Sequence, residues 1–275
     1  MLYIIASPIG NLEDLTLRSI RILNEVDLIL CEDTRVTKKL LAHYKITKPL
    51  IRYVDDDAKI NFYINKLNSN DIALVTDAGT PLLSDPGYKL VRKTIASGIH
   101  VSALPGPCAA IMALTLSGLP SDRFMFVGFL PSKHQARQKK LSALVGLDTT
   151  IVFFETAKRL SACLQDLMDI FGDRDIAIAR ELTKIHEEMI RGPLHEIALE
   201  YDNKKTLKGE LAIVVGPPLK SNDGFSEEFI ESRIIELIQN NSVRDTVIEL
   251  SKETGLSKRS LYARVLILNK IQNNN

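Results

Sequence analysis

Apolar positions fall in two alternating rhythms along the first hundred residues. Short runs rich in Val, Ile and Leu occupy 2–6, 27–31, 50–54, 72–76 and 100–103, and their length and composition predict β-strands. Between them, 16–24, 36–44, 59–67 and 88–97 carry apolar residues at three- and four-residue spacing, which predicts helices. Mostly apolar strands separated by single helices predict a parallel sheet with helices on both faces.

The rhythm changes near Gly118. Strand patterns at 124–128, 150–154, 176–180, 188–191 and 210–215 follow one another with little helix between them, so a second, mixed α+β domain is expected. Ser117-Gly-Leu-Pro-Ser121 reads as a hinge between the two, and 217–226 as a polar linker. Beyond it, 227–239, 243–254 and 258–269 have helical periodicity, with Gly255 placed to end one helix and Ser257 to cap the next. That spacing is similar to a helix-turn-helix. The expected organisation is an α/β chain of three parts: 1–117, 118–217 and a helical module at 226–275.

Composition narrows the possibilities without deciding them. The 275 residues carry a formal net charge of +1, so no global field favours nucleic acid or an anionic membrane. Cys31, Cys108 and Cys163 are odd in number and far apart, an expectation of a reducing cytoplasm rather than a disulfide framework. The start lacks a cationic leader, and the most apolar stretch, 108–119, is interrupted and too short to span a bilayer. No membrane association is expected. Walker, G-x-G-x-x-G, G-x-S-x-G and H-E-x-x-H patterns are absent, and the five histidines are scattered. No metal is expected.

The positive signal is where the turns fall. The first strand runs into Pro8-Ile-Gly10, the second into Glu32-Asp33-Thr-Arg35, the fourth into Asp77-Ala-Gly79-Thr80-Pro81 and the fifth into Pro105-Gly106-Pro107. In a parallel sheet all four clusters lie at the carboxyl edge, where ligands of such sheets collect. Glycine lets a ligand approach the backbone, and proline fixes a loop in advance. After the fourth strand a second turn, Ser84-Asp-Pro-Gly87, precedes the next helix.

In order and spacing, "LYIIASPIGNLEDLTLRSI", "ILCEDTRVTKKLL", "VTDAGTPLLSDPGYKLV", "LPGPCAAIMALTLSGLPSDRFMFVGFLP", "FFETAKRL", "ARELTKIHEE" and "KGELAIVV" resemble the tetrapyrrole methylase superfamily. The match is nearer to its branch of small-subunit ribosomal RNA methyltransferases, and covers most of 1–216. The resemblance implies two α/β domains with S-adenosylmethionine in the cleft between them, and a homodimer. It implies methylation of the ribose 2′-oxygen of a cytidine in the decoding region of small-subunit rRNA.

Methyl transfer needs alignment of acceptor oxygen, methyl carbon and sulfur, with help in removing a proton. Glu32, Asp33 and Arg35 are the catalytic candidates: a carboxylate to take the hydroxyl proton, and a cation to hold a phosphate. Equally open is a helix cap by Asp33 with a surface ion pair to Arg35. Asp77 reads either as a partner for a cofactor hydroxyl or ammonium, or as an Asx-turn. With the resemblance, Pro8, Gly10, Gly79, Thr80, Pro81, Pro105, Gly106 and Pro107 become cofactor-wall candidates. Glu155, Glu181, Leu211 and Ala212 join them from the second domain, where an interdomain salt-bridge network is the alternative for the charged pair.

For RNA, Lys133, Arg137, Lys139 and Lys140 form a run free of acidic residues, with Lys184 near the cleft and Lys258 and Arg259 in the tail. The absence of Trp and 6% aromatic content disfavour a stacking platform, so the expected partner is rRNA inside a folded ribosomal subunit. Two positions depart from the branch: Tyr53-Val-Asp-Asp-Asp57 replaces a His/Asn/Glu-rich segment, and Lys158 stands where histidine is common. Carbon methylation of a tetrapyrrole, or a non-catalytic RNA-binding role, are the competing functions. The first leaves the basic helical tail unexplained and the second the retained loops.

Overall fold

The computed structural model describes residues 1–202, 209–218, 227–254, 256 and 258–272. Contacts divide the chain into two compact units, Met1–Pro217 and Pro218–Asn275.

The first unit begins with β1 (Leu2–Ile5), α1 (Leu17–Glu25), β2 (Leu28–Cys31), α2 (Thr34–His43), β3 (Leu50–Arg52), α3 (Asp57–Leu67), β4 (Ile72–Val75), α4 (Tyr88–Ala96) and β5 (Val101–Leu104). All five strands are parallel, in the order β3-β2-β4-β1-β5. Period-two alternation divides their side chains between two cores. Ile5, Ile29, Cys31, Ala73 and Val75 meet α1 and α2 through Ile22, Leu23, Leu40 and Leu41. Ile4, Leu28, Leu30, Ile72 and Leu74 meet α3 and α4 through Ile60, Tyr63, Leu67 and Leu90. Both faces are covered, which is why these strands read as continuous apolar runs.

The chain continues through α5 (Ala109–Ser117), β6 (Phe124–Phe129), α6 (His134–Ser142), β7 (Thr150–Thr156), α7 (Leu160–Phe171), β8 (Asp175–Arg180), β9 (Glu188–Pro193), α8 (Leu194–Asp202) and β10 (Glu210–Val215). This second sheet has the order β6-β7-β10-β8-β9, parallel only between β6 and β7. It is mixed, as expected, although α7 and α8 fill gaps read as holding little helix. One face packs on those helices. The other is lined by small residues, Ala177, Ala179 and Ala212, and receives Ala110, Ala113 and Leu114 of α5. Small side chains on both surfaces let helix and sheet approach closely, so α5 straps the second sheet to the loops that precede it.

The segment that departs from the branch is tied down locally. Tyr53 is buried and donates its hydroxyl to Asp55 at 2.9 Å, while Asp56 caps α3 by accepting from the N–H groups of Ala58 and Lys59. Lys158 is exposed.

The second unit contains α9 (Glu227–Ile238), α10 (Val243–Thr254) and α11 (Lys258–Gln272) around Ile230, Ile234, Leu237, Val247, Leu250, Leu261 and Val265. Ser242 caps α10 by accepting the Asp245 N–H. The stop at Gly255, the cap at Ser257 and linker residues 219–226 lie outside the described residues. Among the described residues no helix is long and apolar enough to cross a membrane.

Candidate active site

The four carboxyl-edge loops are fastened to one another. The β1 and β4 loops exchange two backbone hydrogen bonds, Ser7 N–H to Gly79 O at 2.8 Å and Gly79 N–H to Ser7 O at 2.9 Å. Thr80 donates its hydroxyl to Pro107 O at 2.9 Å, joining the β4 and β5 loops. Asp77 Oδ1 accepts the Asp33 N–H at 3.0 Å, and the Asp77 N–H points at Glu32 Oε2 at 3.5 Å, so the β2 and β4 loops brace one another. Thr80 and Asp77 therefore hold the rim in shape.

Glycine is required where these loops meet. Gly79 has φ +78°, a conformation costly for other residues. At Gly106 an added Cβ would lie 2.8 Å from Ala6 Cβ, and at Gly10 one would lie 2.9 Å from the Leu182 carbonyl oxygen. Gly10 thus lets the first sheet's edge close on the loop after β8. Beside it Asn11 donates its N–H to Thr183 Oγ1 at 3.0 Å.

Between the two sheets lies a cavity of about 350 Å³. Of the sequence candidates it gathers Glu32, Asp77, Gly79, Thr80, Glu181, Lys184, Leu211 and Ala212. Pro8, Gly10, Pro81, Pro105, Gly106 and Pro107 are not among its lining residues; Gly10 and Gly106 act from behind through the close approaches above. Glu155 also stands apart. Its side chain is fully buried and pairs with Arg159 at 3.0 Å, and Arg159 also donates to Leu130 O at 2.7 Å. That pair is local to the second sheet, four residues apart, rather than an interdomain bridge.

Asp33 engages Arg35 through Oδ2 at 2.6 Å and caps α2 by accepting the Arg35 N–H at 2.8 Å. The Arg35 guanidinium holds its carboxyl down at about 2, which makes it a poor proton acceptor. Arg35 itself remains 87% exposed.

The basic run is a correction. Lys133, Lys139 and Lys140 are exposed, whereas Arg137 is buried and pairs with Asp166 at 2.5 Å. Asp166 also receives His134 at 2.8 Å and Gln138 at 3.2 Å. A polar helix has turned one cation inward, onto a carboxylate of α7. Lys184 pairs with Glu181 at 3.1 Å. In the second unit Lys258 is exposed, and the side chain of Arg259 lies outside the described residues.

Among the lining residues that go beyond the sequence candidates, Phe129, Phe154 and Asp85 change the picture most. Phe129 and Phe154, with ring centroids 5.5 Å apart, supply an apolar wall. Asp85, which the sequence shows only as part of a second turn, lines the cavity with Glu32, Asp77 and Glu210. Burial and the charges of those neighbours push its carboxyl up to about 6, against a stabilising bond from Thr76. Leu82 and Ser84 on the same loop, and Glu181 and Thr183 opposite, hold φ between +51° and +75° without being glycine. Such strain persists where surrounding structure over-determines it. The doubled Asp-Pro/Gly punctuation is the signal that could flag Asp85: two acidic turns exceed what one strand-to-helix connection needs.

Residues 1–198 match the family model described as Tetrapyrrole (Corrin/Porphyrin) Methylases. A protein of Rickettsia prowazekii, named Ribosomal RNA small subunit methyltransferase I, is 42% identical over 269 residues, covering 96% of this chain and 95% of that protein. One of the same name from Synechocystis is 42% identical, with 95% and 96% covered. The relative of that name from Thermotoga maritima is 44% identical over 217 residues, 97% of its own length but 78% of this chain. The family's methyl donor is S-adenosylmethionine, and the cavity fits it. Five carboxylates, Glu32, Asp77, Asp85, Glu181 and Glu210, face a space whose described lining holds one cation, Lys184, beside an apolar wall for a nucleoside. A donor with a sulfonium and an ammonium suits that balance. The chain belongs to the tetrapyrrole methylase family and, within it, to the ribosomal RNA small subunit methyltransferase I group.

Proposed function

We propose that this protein transfers a methyl group from S-adenosylmethionine to the ribose 2′-oxygen of a cytidine in the decoding region of small-subunit rRNA. Near-full-length similarity to proteins named for small-subunit rRNA methylation carries the reading. The bound donor supplies a methyl carbon already activated by positive sulfur, with a neutral thioether as leaving group. The chain's task is alignment, exclusion of water and removal of one proton.

Gly79, Leu211 and Ala212 would hold the donor, with Phe129 and Phe154 as an apolar wall beside it. Asp77 and Thr80 hold the rim through their loop-to-loop bonds. The chain's own part in the transfer would be to take the hydroxyl proton onto a carboxylate. Asp33 is committed to Arg35, Asp77 to the Asp33 N–H and Glu181 to Lys184, which leaves Glu32, Asp85 and Glu210 facing the cavity. Asp85 is the better matched, because it lines the cavity and its carboxyl is raised to about 6.

The test is nucleoside mass spectrometry of small-subunit rRNA from cells with and without the gene. Loss of one 2′-O-methylcytidine in the decoding region is expected, with return on complementation. Loss of a base methyl, or no change, would contradict the reading.

A further inference from the structure

We infer that a second, basic groove on the outer side of α2 carries the phosphate backbone of the RNA substrate. The inference rests on the rRNA methyltransferase reading and adds the surface that reading lacks. The groove, of about 840 Å³, runs along α2 and into the turn before β3, and its polar lining consists of Arg35, Lys38, Lys45, Lys48, Thr34 and Thr47. Every charge there is positive, in a chain whose net charge is only +1. Lys38 and Lys45 are exposed and Lys48 is half-buried, and among the described residues none of the three makes an ion pair. Three cations without counter-charges, spaced along a groove, fit a chain of phosphates.

Two further observations point the same way. Lys45 follows the end of α2 with φ +56°, a site that favours Gly or Asn; lysine there brings strain and places its ammonium at the groove. The groove and the cavity also draw on the same short stretch of chain after β2. Glu32 lines the cavity, while Thr34 and Arg35, two and three residues further on, line the groove. RNA backbone held in the groove would lie against the exposed Arg35 guanidinium, three residues along the chain from Glu32 of the cavity. The exposed Lys133, Lys139 and Lys140 belong to α6 and its N-terminal cap, a different element, and are not needed for this path.

The test uses the full chain and purified small ribosomal subunits. Lys38→Ala/Lys45→Ala/Lys48→Ala is expected to raise KM for subunits roughly tenfold or more near physiological salt, and to flatten the dependence of log affinity on log salt by about two to three. Calorimetric affinity for S-adenosylmethionine, expected to be unchanged, reports that the triple variant is folded. Lys45→Gly is the second variant: it relieves backbone strain, so melting temperature rises while subunit affinity falls. Unchanged KM and salt slope in an active enzyme would overturn the groove alone. Wild-type protein inactive on subunits would overturn the function reading and the groove with it. Tighter lysine-dependent binding to anionic phospholipid vesicles than to subunits would overturn the choice of RNA.

Discussion

Replacing Asp85 with Asn is expected to slow methyl transfer by roughly 10²–10⁴-fold, the usual worth of a positioned proton acceptor. The same change is expected to raise the melting temperature at neutral pH. Burial raises the Asp85 carboxyl from 3.8 to about 6 in the folded chain, so the fold prefers its protonated form. Its contribution to stability is whole below pH 3.8 and is lost as pH rises through about 6. Asn removes that loss, so the gain in melting temperature should be present at pH 7 and absent near pH 3.8.

Activity should move the opposite way with pH, because the acceptor must be ionised. In kcat/KM, which reports the free enzyme, the rate should climb through about pH 6 and then level. A cationic donor beside Asp85 favours the carboxylate, so the corresponding limb in kcat should lie at lower pH. An Asp85→Asn enzyme that keeps the wild-type rate would remove Asp85 from the mechanism and return the task to Glu32 or Glu210.

Loss of Asp166 is expected to be the most damaging single change away from the cavity. Its side chain is 2% exposed and answers Arg137, itself 5% exposed. Asp166→Ala would strand a buried guanidinium, at a cost of about 3–5 kcal/mol. For a chain of this size that lowers the melting temperature by on the order of 10 °C. Replacing both partners with apolar residues, as in Arg137→Met/Asp166→Leu, should recover most of the loss. Calorimetric melts of the three proteins check this. If Arg137→Ala instead leaves the melt unchanged and weakens RNA binding, Arg137 faces the substrate after all.

These two residues mark where the sequence stops being legible. The sheets are readable because strands buried on both faces announce themselves as apolar runs: 27–31, 72–76 and 210–215 match β2, β4 and β10 to within a residue. The rim is readable because Gly79, Gly106 and the prolines have few other reasons to cluster after strands. Arg137 is not, since periodicity in a polar helix gives no hint of a carboxylate 29 residues later. Glu155 ends a strand at the right height, but only its contact with Arg159 says that it is spent on structure. Asp85 depends on Glu32 and Glu210 arriving from other parts of the chain to join Asp77 of its own loop, a convergence that only the fold creates.

The central claim is that the cavity between the two sheets delivers a methyl group to ribose in small-subunit rRNA. Its most direct test incubates purified protein and small subunits with methyl-labelled S-adenosylmethionine, then digests the RNA to nucleosides. The account predicts label in 2′-O-methylcytidine alone, at one site per subunit, and its loss with Asp85→Asn. Label in a base, label in a tetrapyrrole substrate but not in subunits, or no transfer at all would contradict it.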